Sequence, residues 1–478
     1  MSLAESLQEL GHLVNGKVVR SEQSFPVASP ATGEVVAHCP DAGLDLLDEA
    51  VAAAQAAQPG WQALGEASRR EIVRSLGAAV IEHFGAIDEL ESLEKGVPMA
   101  AVELYMAQVY ANHAADTPVP VEVIEDTDDR LVRLVRKPVG VVAAISPWNA
   151  PLLIMAEKVF SALVVGNTVV AKPSPFTPLG TLKMAQVWKD LLPPGVLNVL
   201  AGGDELGAAL VNHRGTSMIS FTGSVSAGKK IAAAAGQAMK PVVCELGGND
   251  AAIVLPDVDV KVVAPRIFGS AFLMSGQTCA AVKRLYVHRS IYQSMVDELA
   301  GYAKLAVAAP AADGGTVGPL VTRPQFERVS ELVRDALDHG AAAAAGGAPA
   351  GGNGYYFAPT ILTGVGPGVR IVDEEQFGPV LPVIPFDDVE EALAAANATE
   401  FGLCGSIWTS DIERGQELAD RLQCGTAWVN NHTEVAPHIP FGGVKSSGIG
   451  RSGGRPGVDA YSNLQTQIIY KSADRVRG

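Results

Sequence analysis

The segment from Gly140 to Leu246 restricts the possible folds most. Short apolar runs alternate there with stretches of helical spacing. Val141–Ile145, Thr168–Ala171, Val196–Leu200, Met218–Phe221 and Val242–Leu246 read as strands. Ala156–Val165, Leu179–Leu191, Glu205–Val211 and Ala227–Ala235 read as helices. The strand runs are predominantly apolar without alternation, so both faces must be covered, and a βαβα order with such strands predicts a parallel, Rossmann-like sheet with helices on both sides.

A second α/β block is expected from Asn249. Ala251–Leu255 is a strand, and Val260–Leu273 a helix leading to Cys279. His339–Gly354 is rich in Ala and Gly without periodicity and reads as a surface connection. Before Gly140, residues 1–40 read as an arm with short strands (Gly16–Val19, then a turn at Ser29–Glu34). Helices are expected over Leu44–Gln58, Ala67–Lys95 and Met99–Ala114. Arg130–Arg136 mixes charged and apolar residues near strand period. An assembly strand and a surface hairpin fit it equally. Tyr461–Tyr470 is a closing strand. The division expected is a cofactor-binding domain (1–116 and 138–247), a catalytic domain (248–446), and an oligomerisation arm with a C-terminal strand (117–137 and 447–478).

Of the 478 residues 48% are hydrophobic and 18% charged, as in a well-buried globular protein. The net charge of −16, with no basic run, argues against a nucleic-acid partner. No apolar run approaches the roughly 20 residues a membrane span needs, and the N-terminus has no signal-peptide pattern. The five cysteines are odd in number and form no CxxC pair, which fits reduced thiols in the cytoplasm. There is no HExxH, and His432 and His438 are poorly spaced for metal, so no metal is expected.

Three segments carry chemistry. Gly276-Gln277-Thr278-Cys279 presents a thiol in a small-residue turn, Glu245-Leu246-Gly247-Gly248 a carboxylate, and Pro147-Trp148-Asn149 a side-chain amide. A thiol that attacks a carbonyl needs a stabilised oxyanion and then a base to activate water. Alone, each has a bland reading: a core cysteine, a helix cap, a polar turn. Thr222–Lys230 follows a strand and opens a helix. It meets GxxxxGK spacing, but Lys230 stands where Ser or Thr must hold magnesium, so it reads as a pyrophosphate seat and not an NTPase loop.

These segments, with Phe221-Thr222-Gly223-Ser224, Glu374-Glu375-Gln376-Phe377-Gly378-Pro379 and Pro440-Phe441-Gly442-Gly443, stand in the order and spacing of the aldehyde dehydrogenase superfamily, which the chain resembles over essentially its whole length. The resemblance implies NAD(P)+-dependent oxidation of an aldehyde to a carboxylic acid. Cys279 is then the nucleophile, Asn149 and the Cys279 N–H hold the oxyanion, and Glu245 activates water. It implies Lys158 as a proton-relay residue and Trp148, Lys172, Ser174, Gly223, Ser224, Gly247, Glu375 and Phe377 as cofactor-binding. Pro175 replaces a ribose-binding glutamate of many NAD+-specific members, so NAD+ is expected with NADP+ open. Asn463 replaces a glutamate that pairs with the relay lysine. Ala150 stands where relatives carry a bulky aromatic, with Ile154, Glu157, Leu273, Met274, Thr433 and Val435 at or near the substrate entrance. A bulky or aromatic aldehyde is expected, in a homodimer or a tetramer of two dimers. Two alternatives remain, a CoA-acylating semialdehyde dehydrogenase of the same fold and a non-catalytic structural relative. The presence of Glu245 speaks against the first, and the intact Cys279, Glu245 and Asn149 against the second.

Overall fold

The computed structural model describes residues 3–97, 99–310 and 313–472, so the last six residues of the expected C-terminal arm lie outside the described residues. The Gly140–Leu246 segment forms the parallel centre of an eight-stranded sheet. Its spatial order is Gly448–Ile449, Val242–Glu245, Met218–Thr222, Val141–Ile145, Thr168–Lys172, Leu197–Val199, His12–Val14 and Lys17–Val19. The five central strands are parallel, and antiparallel strands are added at both edges. Val142 and Ala144 pack into one helical layer, and Val141, Ala143 and Ile145 into the other. This is the two-sided burial that uninterrupted apolar strands require.

From Val141–Ile145 the chain adds strands on one side, then returns to add Met218–Thr222 and Val242–Glu245 on the other. The reversal opens a crevice at the carboxyl ends of Val141–Ile145 and Met218–Thr222, where open α/β sheets bind ligands. A seven-stranded sheet follows. Its central strands Ala251–Val254, Arg284–His288, Val380–Phe386 and Cys404–Trp408 are parallel. A third, antiparallel sheet joins Glu122–Asp126, Arg130–Pro138 and Ser462–Tyr470.

Several expectations are corrected. Ala67–Lys95 is two helices, Glu66–Glu82 and Phe84–Lys95, because His83 leaves helical geometry (φ −105°, ψ 20°) while the apolar spacing runs on through it. His339–Gly354 contains an edge strand, Ala342–Ala345, paired antiparallel with Thr360–Thr363. Four alanines carry no alternation, so a neighbouring edge decides their conformation. The N-terminal segment is no free arm, since His12–Val14 and Lys17–Val19 extend the first sheet. The helix before Cys279 stops at Ala271.

Candidate active site

The crevice holds a cleft of about 550 Å³. Pro147, Trp148 and Asn149 enter it from the end of Val141–Ile145. Thr222, Gly223 and Ser224 enter from Met218–Thr222, and Glu245 and Gly247 from the next strand. Ile154 comes from the helix Pro151–Val165, and Cys279, Glu375 and Phe377 from the second sheet's side. The three chemical segments therefore face one space. Ser224 caps the helix Val225–Gln237 through a hydrogen bond from the Ala227 N–H, leaving a helix N-terminus turned to the cleft.

Two close approaches interlock the walls. A Cβ on Gly247 would lie 2.1 Å from Glu375 Oε2, and one on Gly276 would lie 2.1 Å from the Gly378 carbonyl oxygen. A side chain at Gly276 would run into backbone, and with φ +73° that position calls for glycine, whereas one at Gly247 would have to displace the Glu375 carboxylate. Met274, Ser275 and Phe377 are non-glycine residues held at positive φ (53°, 59° and 47°). Such strain persists only where neighbours over-determine it. Ser275 donates to the Gly318 carbonyl at 2.8 Å, Gln277 Nε2 to the Met274 carbonyl at 3.0 Å, and Gln325 Nε2 to the carbonyls of Gln376 (2.8 Å) and Phe377 (3.0 Å).

Asn149 Nδ2 donates to the Gln277 carbonyl at 2.9 Å, which ties it to the cysteine loop and leaves its second N–H available. Burial pushes the Cys279 thiol up to about 12. Lys283 opposes that shift, while Asp250, Glu245 and Glu375 add to it. Burial likewise raises Glu245 to about 8, offset chiefly by Lys158. Both Glu245 carboxylate oxygens lack a hydrogen-bond partner in the fold, as befits a carboxylate aimed at a small molecule. A Cβ at Gly442 would come within 2.8 Å of Glu245 Oε1, so the Pro440–Gly443 motif makes room for the carboxylate.

Lys158 is no surface lysine. It is 1% exposed, and its Nζ donates to Ser220 Oγ at 3.1 Å; that hydroxyl shares a 2.8 Å hydrogen bond with the Tyr461 hydroxyl. Burial lowers its pKa, and Glu157 and Glu245 oppose this. Asn463 is exposed on the third sheet, opposite Lys137.

The other expected residues stand outside this cleft's lining. Lys172 and Ser174 lie at the end of Thr168–Lys172. Burial lowers Lys172 to about 8 against the charges of Asp204 and Asp41. Ala150 caps the helix Pro151–Val165. Met274 lines a second cavity of about 270 Å³ on the far side of the cysteine loop, bordered also by Asn149 and Gln277. Val435 is 37% exposed. The sequence reading missed Lys283, Gln325, Arg328 and Arg451. Gln325 and Arg328 line the cleft, and Arg328 Nη2 donates to the Glu375 carbonyl at 3.2 Å. Arg451 acts on the Glu245 charge. The signal for Lys283 was its place four residues after Cys279, where an ammonium can fold back on the loop.

Comparison with known proteins identifies the family and the fold. The family described as "Aldehyde dehydrogenase family" matches residues 18–467. A phenylacetaldehyde dehydrogenase of Pseudomonas fluorescens is 35% identical over 96% of this chain and 95% of its own. A betaine aldehyde dehydrogenase of Brucella anthropi is 36% identical over 96% of each. Among solved structures, the NAD+ complex of a Bacillus cereus aldehyde dehydrogenase superposes with a TM-score of 0.95 at 34% identity, covering 98% of both chains. An Escherichia coli NADP-dependent enzyme gives 0.93 at 31%, covering 98% of this chain and 99% of its own.

Proposed function

The chain belongs to the aldehyde dehydrogenase family, oxidising aldehydes with NAD(P)+, and from that premise we propose that Cys279, Asn149 and Glu245 carry the reaction and that the preferred substrate is a bulky or aromatic aldehyde used with NAD+. The observation that carries this reading is the convergence of a thiol, an anchored amide and a partnerless carboxylate on one cleft. Cys279 transfers its proton to Glu245, which passes it to solvent before its later turn as base, and the sulfur adds to the aldehyde carbon. The free Asn149 N–H and the Cys279 backbone N–H receive the oxyanion. A nicotinamide cofactor in the cleft supplies the hydride acceptor. Cys279 then carries a thioester, which water activated by Glu245 hydrolyses to the acid. Glu245 favours this branch over transfer to CoA.

The cleft suits such a cofactor. Gly223, Ser224 and a helix N-terminus offer a pyrophosphate seat. Glu375 faces the space for a ribose, and Phe377, edge-on to Trp148 at 5.5 Å, flanks the nicotinamide position. Lys172 and Ser174 would hold the adenosine ribose, and Asp204 and Asp41, whose charges act on Lys172, would disfavour a 2′-phosphate even with Pro175 in place of a glutamate. Lys158 relays protons through Ser220 and Tyr461 and not through Asn463. The small Ala150, next to Asn149, leaves room for a ring on the side of the cavity that Met274 and Asn149 line, in keeping with the phenylacetaldehyde-oxidising relative. The division into residues 1–116 with 138–247, 248–446, and 117–137 with 447–478 follows the three main sheets, except that Gly448–Ile449 joins the first sheet. The five cysteines are unpaired, and no helix among the described residues is long and apolar enough to cross a membrane. A reduced, cytoplasmic setting suits both, and the third sheet suits a homo-oligomer.

The test is absorbance of reduced nicotinamide with phenylacetaldehyde, benzaldehyde, betaine aldehyde, a medium-chain aliphatic aldehyde and acetaldehyde, each with NAD+ and NADP+ and with and without CoA. Turnover with the aromatic aldehydes and NAD+, absent in Cys279→Ala, is expected. Turnover of short aliphatic aldehydes alone rejects the substrate assignment, and strict dependence on CoA rejects the hydrolytic one.

A further inference from the structure

Lys283 joins two parts of the site, the loop that carries Cys279 and the segment that carries Glu375. Its side chain is 2% exposed. Its Nζ donates to the Cys279 carbonyl at 2.6 Å and to the Thr278 carbonyl at 2.9 Å. The third direction holds Glu375 Oε1 at 3.2 Å. An ammonium has three donors, and here two go to the nucleophile loop and one to the cleft carboxylate. Glu375 Oε1 also accepts the Gly248 N–H at 3.1 Å, and Lys283 Nζ lies 5.6 Å from the centre of the Phe377 ring. The backbone is pinned as well. The Lys283 N–H donates to the Asp250 carbonyl at 3.0 Å, and the Lys283 carbonyl accepts from Gln376 Nε2 at 3.0 Å. Nothing about the sulfur chemistry itself requires a lysine here.

We propose that Lys283 is a positioning residue that holds the Cys279 loop and the Glu375 carboxylate as one charged unit, so that the state of Glu375 sets how much of the ammonium's charge reaches the nucleophile. With Glu375 ionised and paired, the ammonium is largely neutralised. When Glu375 loses its charge or turns to another partner, the same ammonium stays hydrogen-bonded to the carbonyls beside the sulfur and favours the thiolate. The groups facing Cys279 are Lys283, Asp250, Glu245 and Glu375, and its charge also acts on Cys404. His432 is the further titratable group that feels Lys283, and burial keeps it neutral. Lys283 is thus the cation that opposes burial at the thiol, and Glu375 is its direct counter-ion.

The coupling predicts opposite effects from the two partners, which loss of packing does not produce. The test is the iodoacetamide alkylation rate of Cys279 in the full-length, cofactor-free protein at about pH 9, followed by mass spectrometry of the Cys279 peptide. A shift of one pKa unit corresponds to about a tenfold change in thiolate fraction below the midpoint. Lys283→Met is expected to slow alkylation by about tenfold or more, Glu375→Gln to accelerate it by about as much, and Lys283→Arg to stay within about threefold of wild type. Glu375→Gln keeps a side-chain oxygen for the Gly248 N–H, so that arm decides the matter even if Lys283→Met fails to fold. Alkylation unchanged or slower in Glu375→Gln overturns the proposal. The coupling bears on cofactor use only if Glu375 holds the nicotinamide ribose, as read above. Calorimetry of NAD+ binding to Glu375→Gln separates the two. Unchanged NAD+ affinity removes the ribose assignment, whereas weakened affinity with unaltered alkylation removes the Lys283 coupling alone.

Discussion

Glu245 acts as a base only when deprotonated, and burial raises its pKa to about 8. Activity should therefore rise with pH and level off above about 8. Glu245→Gln should abolish that limb and cost about 10²- to 10⁴-fold in kcat, measured as a pH–rate profile. A flat profile between pH 6 and about 9 removes Glu245 from the base role. Gly247 tests the cleft wall in the same way. With Glu375 Oε2 only 2.1 Å from an added Cβ, Gly247→Ala must displace that carboxylate. Its expected mark is a rise of about tenfold or more in KM for NAD+, with about 1–3 kcal/mol of stability lost. An unchanged KM would show that Glu375 does not hold the cofactor. At this scale Cys279, Glu245 and Asn149 were legible through the short motifs that hold them, and the fold brings all three to one cleft. Lys283, Gln325 and Arg328 escaped notice because a lysine, a glutamine or an arginine in a loop has many ordinary uses.

Among the elements, the helix Pro151–Val165 matters most, because it begins directly after Asn149 and Ala150 and carries Ile154 and Lys158. Its first turn is capped from outside. Glu103 Oε2 accepts the N–H groups of Leu152 (3.0 Å) and Leu153 (3.2 Å), and Glu103 Oε1 pairs with buried Lys95 at 2.5 Å. Lys95 also meets Glu91 at 3.2 Å, and Glu94 caps the helix Leu179–Trp188 through Leu179 and Gly180. Glu103→Ala leaves a buried ammonium short of a partner and two helix N–H groups unmet. It should destabilise the protein by about 3–5 kcal/mol in urea unfolding. A loss under about 1 kcal/mol would mean the network is solvated and not a cap. Apolar spacing located this helix but could not show its cap, since Glu103 lies 49 positions away.

Across the whole molecule, the third sheet exposes apolar side chains among the described residues. Leu464 and Ile468, on one face of Ser462–Tyr470, are each about 60% exposed, as are Val123 and Ile124 on the edge strand Glu122–Asp126, and exposed apolar side chains grouped on one face mark association. A homo-oligomer built through that sheet should show a multiple of 49.6 kDa in light scattering. Leu464→Lys with Ile468→Lys should lower the mass and leave the monomer's circular dichroism intact. A wild-type protein that is monomeric at micromolar concentration would refute the interface.

The order of strands and helices and the two-sided burial of the first sheet followed from the sequence itself, and so did the motifs around Cys279, Glu245 and Asn149 on which the proposed chemistry rests. Apolar periodicity and short motifs are local properties, readable without coordinates. The tertiary structure decided what depends on residues far apart in the chain. It broke the helix at His83 and paired Ala342–Ala345 at a sheet edge. It buried Lys158 against Ser220, and brought Lys283 between Cys279 and Glu375. Each of these outcomes rests on which distant backbone or charge lies within a few ångströms, and no window of sequence contains that distance.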